Sequence, residues 1–397
     1  MYEYRNNDKT LVLSSTDDMF SFLGKSSQVV SNGASQCILR SEPEHLICGA
    51  SFKPSKKQLA LNLLTLTGLK DIQISDDNPD FKAIDGVIYT KDGMFLVFCP
   101  GNKTGTVKVA EGTQTIGRNA FTQCKINKVI IPDSIKVIDK CAFVGCESLN
   151  EVEVGEKSHL ERINASAFDG CKSLENFYFP ESLKLLDNNS FSCTGIKKVI
   201  YPNDVTVGRE VFYHCPVEYV YVPKTNFADV PNLCIIETCQ SFCYINDVDI
   251  KELASGFFTL QLEGYNPIIM PRYLDTDGKI RNMDAEIVRF HRENNKDGLD
   301  LFKFGAAPEC KEATAIAEYK AYQSESAKCF LVRNSAQIAR RRAAVNEETL
   351  YDFVSMDLWK ATALKRMLAV AEDFNYASVI TYILEKLPKK KTQKIKL

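Results

Sequence analysis

Cysteine recurs at a fixed place in a repeated nine-residue phrase, and regularly spaced thiols could bind a metal or carry out redox chemistry. The phrase reads IGRNAFTQC at 116–124, IDKCAFVGC at 138–146, INASAFDGC at 163–171, LDNNSFSCT at 186–194 and VGREVFYHC at 207–215. The cysteine follows the phenylalanine by three residues in every copy except the fourth, where Cys193 follows by two. We favour a structural interpretation, because cysteine packs well as a small hydrophobe wherever a tight turn repeats. We therefore predict neither a metal nor a cofactor at these thiols.

Three other segments carry side chains of catalytic or metal-ligating type, and each lacks a part that the chemistry needs. His214 precedes Cys215, but a Cys–His nucleophile also needs a third group that orients the base. CIIETCQSFC at 234–243 offers three cysteines, whereas structural zinc takes four ligands. DTDGKI at 275–280 departs from the calcium-loop pattern at key ligand positions. We predict no catalytic residues and no metal site, and therefore a protein that is not an enzyme.

Composition and charge describe an ordinary globular protein. The 397 residues carry a net charge of −2, and 45% of them are hydrophobic and 25% charged. No bulk charge therefore favours nucleic acid, and the short basic segments at 340–342 and 389–397 suit a solvated helix face and a chain end. No apolar run reaches the roughly 18–20 residues that span a bilayer. We expect no nucleic acid partner and no membrane span.

The beginning of the chain bears on the cellular location. The first residues, MYEYRNNDKT, are polar and show no secretory signal. Cysteines in a chain without such a signal are expected to be reduced, as in the cytosol. We therefore predict a cytoplasmic protein, and a cell surface location would follow only if the native chain begins earlier with an export signal.

The elements that position the phrases are short strands. Five segments read apolar-x-x-apolar-x-apolar, namely 126–131, 149–154, 174–179, 196–201 and 217–222. Alternating apolar residues are typical of a strand with one buried face. A proline or glycine follows each segment, and these stops lie 23, 25, 22 and 21 residues apart. A period of this length indicates stacked coils, each of which buries its apolar side against the next.

The phenylalanine of each phrase is expected to point into the coil. It follows the first apolar residue of the phrase by five positions, which fits about one tight helical turn. Stacked coils would then place these rings in one hydrophobic column, formed by Phe121, Phe143, Phe168, Phe191 and Phe212.

The combination of I-G-x-x-A-F-x-x-C with L-x-x-V-x-V-P resembles the BspA-type, or Treponema-type, leucine-rich repeat family. Residues 85–121 are similar to the hairpin segment that often opens such arrays. The resemblance implies an α/β fold: a leucine-rich-repeat solenoid with a parallel β-sheet face. It also implies roles in adhesion and protein–protein interaction, and it supplies no catalytic residues.

We predict three regions. Residues 1–69 would form an N-terminal cap region, and residues 70–246 a solenoid of roughly six to seven units with its entry hairpin at 85–99. After residue 247 the helical period dominates, which predicts a separate C-terminal α-helical domain at 247–397. Residues 360–387 suggest a helix pair, either ankyrin-like or part of a generic bundle.

One row of side chains on the sheet should face outward and is apolar in its C-terminal half. The candidate binding residues are Tyr178, Ile200, Tyr219, Tyr221, Phe242 and Tyr244, hereafter the aromatic strip. A contiguous apolar patch of this kind is typical of an interaction site. The alternatives are a seam covered by the C-terminal helices, and ordinary exposure.

The predicted function is that of a non-catalytic scaffold that binds a protein partner through the sheet face. Two alternatives stay open: an enzyme or ligand sensor with its site in the helical C-terminal domain, and a cell-surface adhesin. The sequence does not identify the partner or the oligomeric state.

Overall fold

The computed structural model describes residues 2–5, 7–29, 43–223, 256–272, 287 and 300–388. The chain divides into two compact units, Met1–Ser241 and Phe242–Leu397, and each has a hydrophobic core of its own. The predicted boundaries at residues 69 and 246 remain a proposal.

The described part of the first unit begins with a small mixed sheet and two helices. Its strands are β1 (Glu3–Arg5), β2 (Thr10–Ser15), β3 (His45–Ser51) and β4 (Asp71–Ile74), paired in that order. Only β1 and β2 are antiparallel. Helix α1 (Thr16–Val29) follows β2, and α2 (Lys56–Leu63) follows β3. A capping box between Ser55 and Gln58 fixes the start of α2, because it satisfies backbone donors that a helix end leaves free.

A three-stranded antiparallel segment connects this sheet with the repeats. It consists of β5 (Phe81–Ile84), β6 (Val87–Thr90) and β7 (Phe95–Phe98). The turn between β6 and β7 contains Gly93 at φ +79°, a conformation that glycine adopts without strain. Phe81 and Phe98 belong to the same core as Leu11, Leu46 and Leu59. The first sheet and the entry segment therefore share one hydrophobic interior.

The repeats form parallel sheets along the coil. One sheet contains β8 (Thr104–Lys108), β10 (Lys125–Ile131) and β12 (Glu151–Val154). A second sheet extends from β7 through the two-residue strands β9 (Thr115–Ile116), β11 (Val137–Ile138), β13 (Arg162–Ile163), β14 (Leu185–Leu186) and β16 (Thr206–Val207). A further parallel pair joins β15 (Lys198–Ile200) to β17 (Tyr219–Val222). The predicted solenoid with parallel sheets is confirmed.

The predicted phenylalanine column runs through the interior of the coil. Each of its five rings is at most 1% exposed. Successive centroids lie 4.6, 4.9, 4.9 and 5.8 Å apart, with interplanar angles of 12°, 2°, 14° and 22°. The column is therefore a continuous stack whose last contact, between Phe191 and Phe212, is the widest.

The strand expected at 174–179 is not formed. Phe177 and Phe179 are buried as expected, but their rings pack 4.9 and 5.3 Å from the Phe191 ring. Rings occupy more space than the valines at the equivalent positions of β12, and we attribute the loss of regular pairing to this bulk. Residues 176–179 form no backbone–backbone hydrogen bond within the described part of the chain. The sheet is consequently interrupted between β12 and β15.

The described part of the second unit has a short hairpin followed by helices. The hairpin pairs β18 (Phe257–Leu262) with β19 (Ile268–Pro271), and a 3-10 helix covers Leu301–Phe304. The α-helices are α3 (Pro308–Tyr322), α4 (Glu325–Val345), α5 (Glu347–Val354), α6 (Ala361–Asp373) and α7 (Ala377–Lys386). Asn375 turns the chain between α6 and α7 at φ +56°. This is the predicted helix pair, and the choice between an ankyrin-like pair and a generic bundle stays open.

Candidate functional site

The repeated cysteines form a ladder of hydrogen bonds in the coil. Cys146 Sγ donates to the carbonyl oxygen of Phe121 at 2.8 Å, in the preceding coil. Cys171 and Cys215 repeat the contact with the phenylalanine carbonyls of the coils before them, at 3.1 and 3.0 Å. The thiol therefore links one coil to the next, in addition to filling space. The structural interpretation of these residues is supported and extended.

The chemical state of the thiols argues against reactivity. Burial raises the pKa of Cys124, and the neighbouring Cys146 thiol together with burial raises that of Cys171. Nucleophilic and metal-bound cysteines are thiolates, whereas these groups are held protonated. Within the described ranges, no cluster of histidine, cysteine and carboxylate side chains is arranged to hold a metal ion.

The fourth copy of the phrase keeps the same turn geometry although its cysteine lies one position earlier. The fourth and eighth positions of every copy adopt positive φ, and Cys193 occupies the eighth position at φ +55°. Thr194 takes the place of the usual cysteine, and its hydroxyl donates to Phe191 O at 2.9 Å. His214 lies at the eighth position of the last copy, also with positive φ. His214 and Cys215 thus occupy the last two positions of the repeated turn.

Two sequence candidates and part of the aromatic strip lie outside the described residues. These are the cysteine-rich segment 234–243, the loop 275–280, Phe242 and Tyr244.

Tyr178 and Ile200 are the most exposed described members of the aromatic strip. Their exposed fractions are 49% and 50%, respectively. Tyr219 and Tyr221 are half-buried. The strip is therefore apolar and solvent-accessible at its first two positions.

The register of β15 and β17 aligns the neighbouring strip residues. Ile200 pairs with Tyr221, and Lys198 pairs with Tyr219. The ammonium of Lys198 lies 5.5 Å from the centre of the Tyr219 ring, a distance that permits a cation–π contact. This contact gives one edge of the strip a positive charge.

A cavity of about 210 Å³ lies beside Tyr178 and Ile200. Its lining also includes Phe177, Lys198 and Glu181. The cavity coincides with the interruption of the sheet, where residues 174–179 do not pair as a strand. Sequence periodicity did not predict it, although the two phenylalanines in LENFYF were a visible departure from the valine pattern.

The N-terminal half of the sheet face carries paired charges. Lys128 Nζ lies 2.8 Å from Glu151 Oε1 and 2.7 Å from Glu153 Oε2. Hydrogen bonds to these two carboxylates raise the pKa of Lys128. The outward row therefore changes from paired charges to apolar side chains along the solenoid.

Among the described residues of the helical unit, Glu318 has a strongly shifted pKa. Burial raises the pKa of Glu318 to about 7. The backbone amide of Asp300 donates to Glu318 Oε1 at 2.9 Å, while Oε2 has no hydrogen-bond partner among the described residues. A cavity of about 390 Å³ in the same unit is lined by Trp359, Tyr382 and Lys328 among others, but not by Glu318. Among the described residues, this cavity and the perturbed carboxyl of Glu318 are therefore separate features.

A second cavity of about 390 Å³ lies in the first unit, between α2 and the first coils. Lys56, Lys57 and Arg118 contribute to its lining. No sequence motif predicted this site, because its parts come from segments that are distant along the chain. A possible signal was Gly117, which stands where the next two copies of the phrase have aspartate and asparagine.

No helix in the described part of the chain combines the length and apolar character needed to cross a membrane.

Comparison with known families confirms the repeat resemblance over part of the chain. Residues 114–242 match the model described as BspA type Leucine rich repeat region, in six copies. These residues are therefore BspA-type leucine-rich repeats. A comparison with curated proteins finds no match.

Several solved bacterial repeat proteins are similar to this chain. The pneumococcal vaccine antigen PcpA is 18% identical, with coverage of 38% of this chain and 33% of the antigen and a TM-score of 0.27. A leucine rich cell surface protein from Faecalibacterium prausnitzii is 20% identical, with coverages of 51% and 44% and a TM-score of 0.31. The T. pallidum leucine rich repeat protein is 19% identical, with coverages of 56% and 96% and a TM-score of 0.32. The chain thus spans less than half the length of the first two.

Proposed function

We propose that the chain is a non-catalytic interaction scaffold that binds a protein partner through the aromatic strip. One observation carries this proposal: two half-exposed apolar side chains, Tyr178 and Ile200, line a cavity at the protein surface. Leucine-rich repeat arrays present extended surfaces of this kind for binding. Exposed aromatic residues beside a pocket are typical of the few positions that dominate interface energies.

The size of the cavity favours one side chain of a partner over a whole small ligand. Its volume of about 210 Å³ lies below the roughly 300–1,000 Å³ of small-molecule sites. An apolar partner residue could enter beside Tyr178 and Ile200, and its burial would remove apolar surface from water. Lys198 and Glu181, which also line the cavity, would orient the partner by charge.

The remaining strip residues extend the proposed surface. Tyr219 and Tyr221 continue it along β17, and the proposal includes Phe242 and Tyr244 as its predicted end. A protein partner of this surface is favoured over nucleic acid, because the strip is apolar and the chain has a net charge of −2.

The location of the protein also stays a proposal. We retain the cytoplasmic location as the expectation, with a cell-surface adhesin as the alternative. Protease shaving of intact source cells tests the two, because only a surface protein would be cleaved.

The experiment compares Tyr178→Ala and Ile200→Ala with wild type in affinity capture from source cells, followed by a Kd measurement with each purified partner. Truncating a central interface residue costs about 2 kcal/mol or more, so we expect Kd to rise by about 30-fold. Glu153→Ala is the matched control, since it changes an exposed residue of the same outward row in β12.

The melting temperature separates binding from a covered seam. Substitutions of exposed side chains change stability by only about 0.5 kcal/mol, so both strip variants should melt close to wild type. Unchanged affinity in both variants, or a large loss of stability in either, would contradict a partner-binding strip.

A further inference from the structure

The cavity between α2 and the first coils combines an apolar wall with a rim of positive charge. Its apolar lining includes Val97, which is 2% exposed, and Leu61, which is 45% exposed. Phe95 lies in the same wall. A ligand in this cavity would therefore meet a preformed apolar surface.

Gly117 leaves room for the Phe95 ring in this wall. A Cβ at position 117 would collide with that ring and would lie 2.6 Å from the carbonyl oxygen of Leu96. In the next coil the equivalent position is Asp139, whose side chain also lines the cavity. The absence of a side chain at position 117 thus lets the Phe95 ring approach the backbone of the first coil, at a position where the next two copies of the phrase carry aspartate and asparagine.

The cations at the cavity are available to a ligand. Lys56, Lys57 and Arg118 line it, and no ion pair of these three residues is found within the described ranges. Lys56 Nζ lies 4.4 Å from the centre of the Phe95 ring. The ammonium group is therefore held over the apolar wall, so that a positive charge and an aromatic face lie together in the cavity.

The nearby carboxylates are engaged elsewhere. Asp139 Oδ1 accepts from Asn164 Nδ2 at 2.9 Å and from the amide of Lys140 at 2.7 Å. Asp92, which does not line the cavity, is held by Thr90 and by the amide of Met94, and these bonds are the main reason for its lowered pKa. Lys56 acts on Asp92 only through a weaker charge interaction. The lining itself has three cations and one carboxylate, which leaves an excess of positive charge.

We propose that this cavity binds a small amphiphilic organic anion, with an aromatic or acyl body and a carboxylate, sulfonate or phosphate head. The body lies on Phe95, Val97 and Leu61, and the head lies among Lys56, Lys57 and Arg118. The volume of about 390 Å³ falls within the range of small-molecule sites, roughly 300–1,000 Å³, which combine apolar walls with a few polar groups. This site is independent of the aromatic strip, so either proposal can fail without the other.

The test uses 1-anilinonaphthalene-8-sulfonate, whose fluorescence rises on binding, with the full chain. Its uncharged analogue, N-phenyl-1-naphthylamine, has the same rings without the sulfonate. We expect saturable binding of the sulfonate with about one equivalent, and weaker binding of the analogue. Competition by 3-phenylpropionate, but not by glutarate, is expected because glutarate has charge without an apolar body.

Variants locate the bound probe. An exposed charge pair is worth up to about 5-fold in affinity, so reversal by Arg118→Glu should raise Kd by about 10-fold. Lys184→Glu makes the same charge change at an exposed residue away from the cavity lining and should change Kd by less than about 2-fold. Leu61→Ser removes exposed apolar surface and should also weaken binding.

Several results would overturn the proposal. Equal binding of the charged and uncharged probes would exclude anion recognition. Equal effects of Arg118→Glu and Lys184→Glu would show a nonspecific charge effect, and loss of the signal in Tyr178→Ala alone would place the probe at the aromatic strip. Displacement by hexaglutamate but not by 3-phenylpropionate would identify an acidic-peptide site instead.

Discussion

Replacing Phe143 with alanine should open the solenoid locally, because this ring is stacked on both sides in the column. Its centroid lies 4.6 Å from that of Phe121 and 4.9 Å from that of Phe168, and the side chain is fully buried. Removal of a buried phenylalanine ring costs about 3–5 kcal/mol. We expect the upper part of this range, since each stacked pair adds about 0.5–1.5 kcal/mol beyond area burial.

Hydrogen exchange measured by mass spectrometry is the suitable assay. The amide of Phe143 donates to Ala167 O at 2.7 Å, and that of Phe121 donates to Ala142 O at 2.7 Å, so both report on the stacking of coils. A loss of about 4 kcal/mol corresponds to roughly 10³-fold faster exchange where opening is at equilibrium. The fluorescence of Trp359, the only tryptophan, reports separately on the helical unit.

Phe121→Ala is the matched control within the same column. Phe121 has one stacked neighbour there, so its replacement should cost about 1 kcal/mol less than that of Phe143. Exchange in the Phe143→Ala variant within about 10-fold of wild type would refute the argument that the stacked column holds the coils together.

Three further substitutions each test one contact of the structure. Cys146→Val removes the thiol donor to Phe121 O and should lower stability by about 1 kcal/mol; a variant as stable as wild type in urea unfolding would show that the thiol only fills space. Glu318→Gln should remove a pH dependence of the free energy of unfolding. The native state of the wild type binds one more proton than the unfolded state between the unfolded pKa of 4.5 and the folded pKa of about 7. Wild-type stability therefore falls by about 3 kcal/mol as pH rises through this window. A melting-temperature difference between variant and wild type that does not grow from pH 5 to pH 8 would contradict this assignment. Gly117→Ala would place a Cβ 2.6 Å from Leu96 O and should cost about 1–3 kcal/mol, and an unchanged melting temperature would disprove the close approach.

The column and the parallel coils could be predicted because one pattern repeats along the chain. A single phrase such as IDKCAFVGC fits several local structures, but five copies at a regular period favour stacking of identical turns. The positive-φ positions were less visible. Cys141 and Glu210 adopt φ values of +56° and +54°, although neither residue type favours that region. The stacking of neighbouring coils imposes this geometry on them.

The missing strand at 174–179 shows where alternation alone fails. Phe177 and Phe179 satisfy the apolar pattern, and both are buried. Their rings pack edge-on against the Phe191 ring, and the period of a sequence pattern carries no information about ring orientation. The sequence identified Tyr178 as a candidate binding residue. It did not predict the cavity beside Tyr178, because that cavity depends on how the bulky rings of Phe177 and Phe179 pack.

The cavity at α2 could not be predicted for a different reason. Lys57 and Arg118 are separated by 61 positions in the sequence and meet only because the cap helix lies beside the first coil. No local pattern encodes such a pairing. Gly117 was read simply as part of a repeated phrase, and its role became apparent from the position of the Phe95 ring.

Site-specific photo-cross-linking tests the proposed binding surface most directly. A benzophenone amino acid is placed at position 178 in the full chain, and a matched variant carries it at position 153 on the same outward row. The scaffold interpretation predicts one saturable partner adduct from position 178, competed by unlabelled wild type and not by Ile200→Ala, and none from position 153. Equal adducts from both positions, or no competable adduct from position 178, would contradict it.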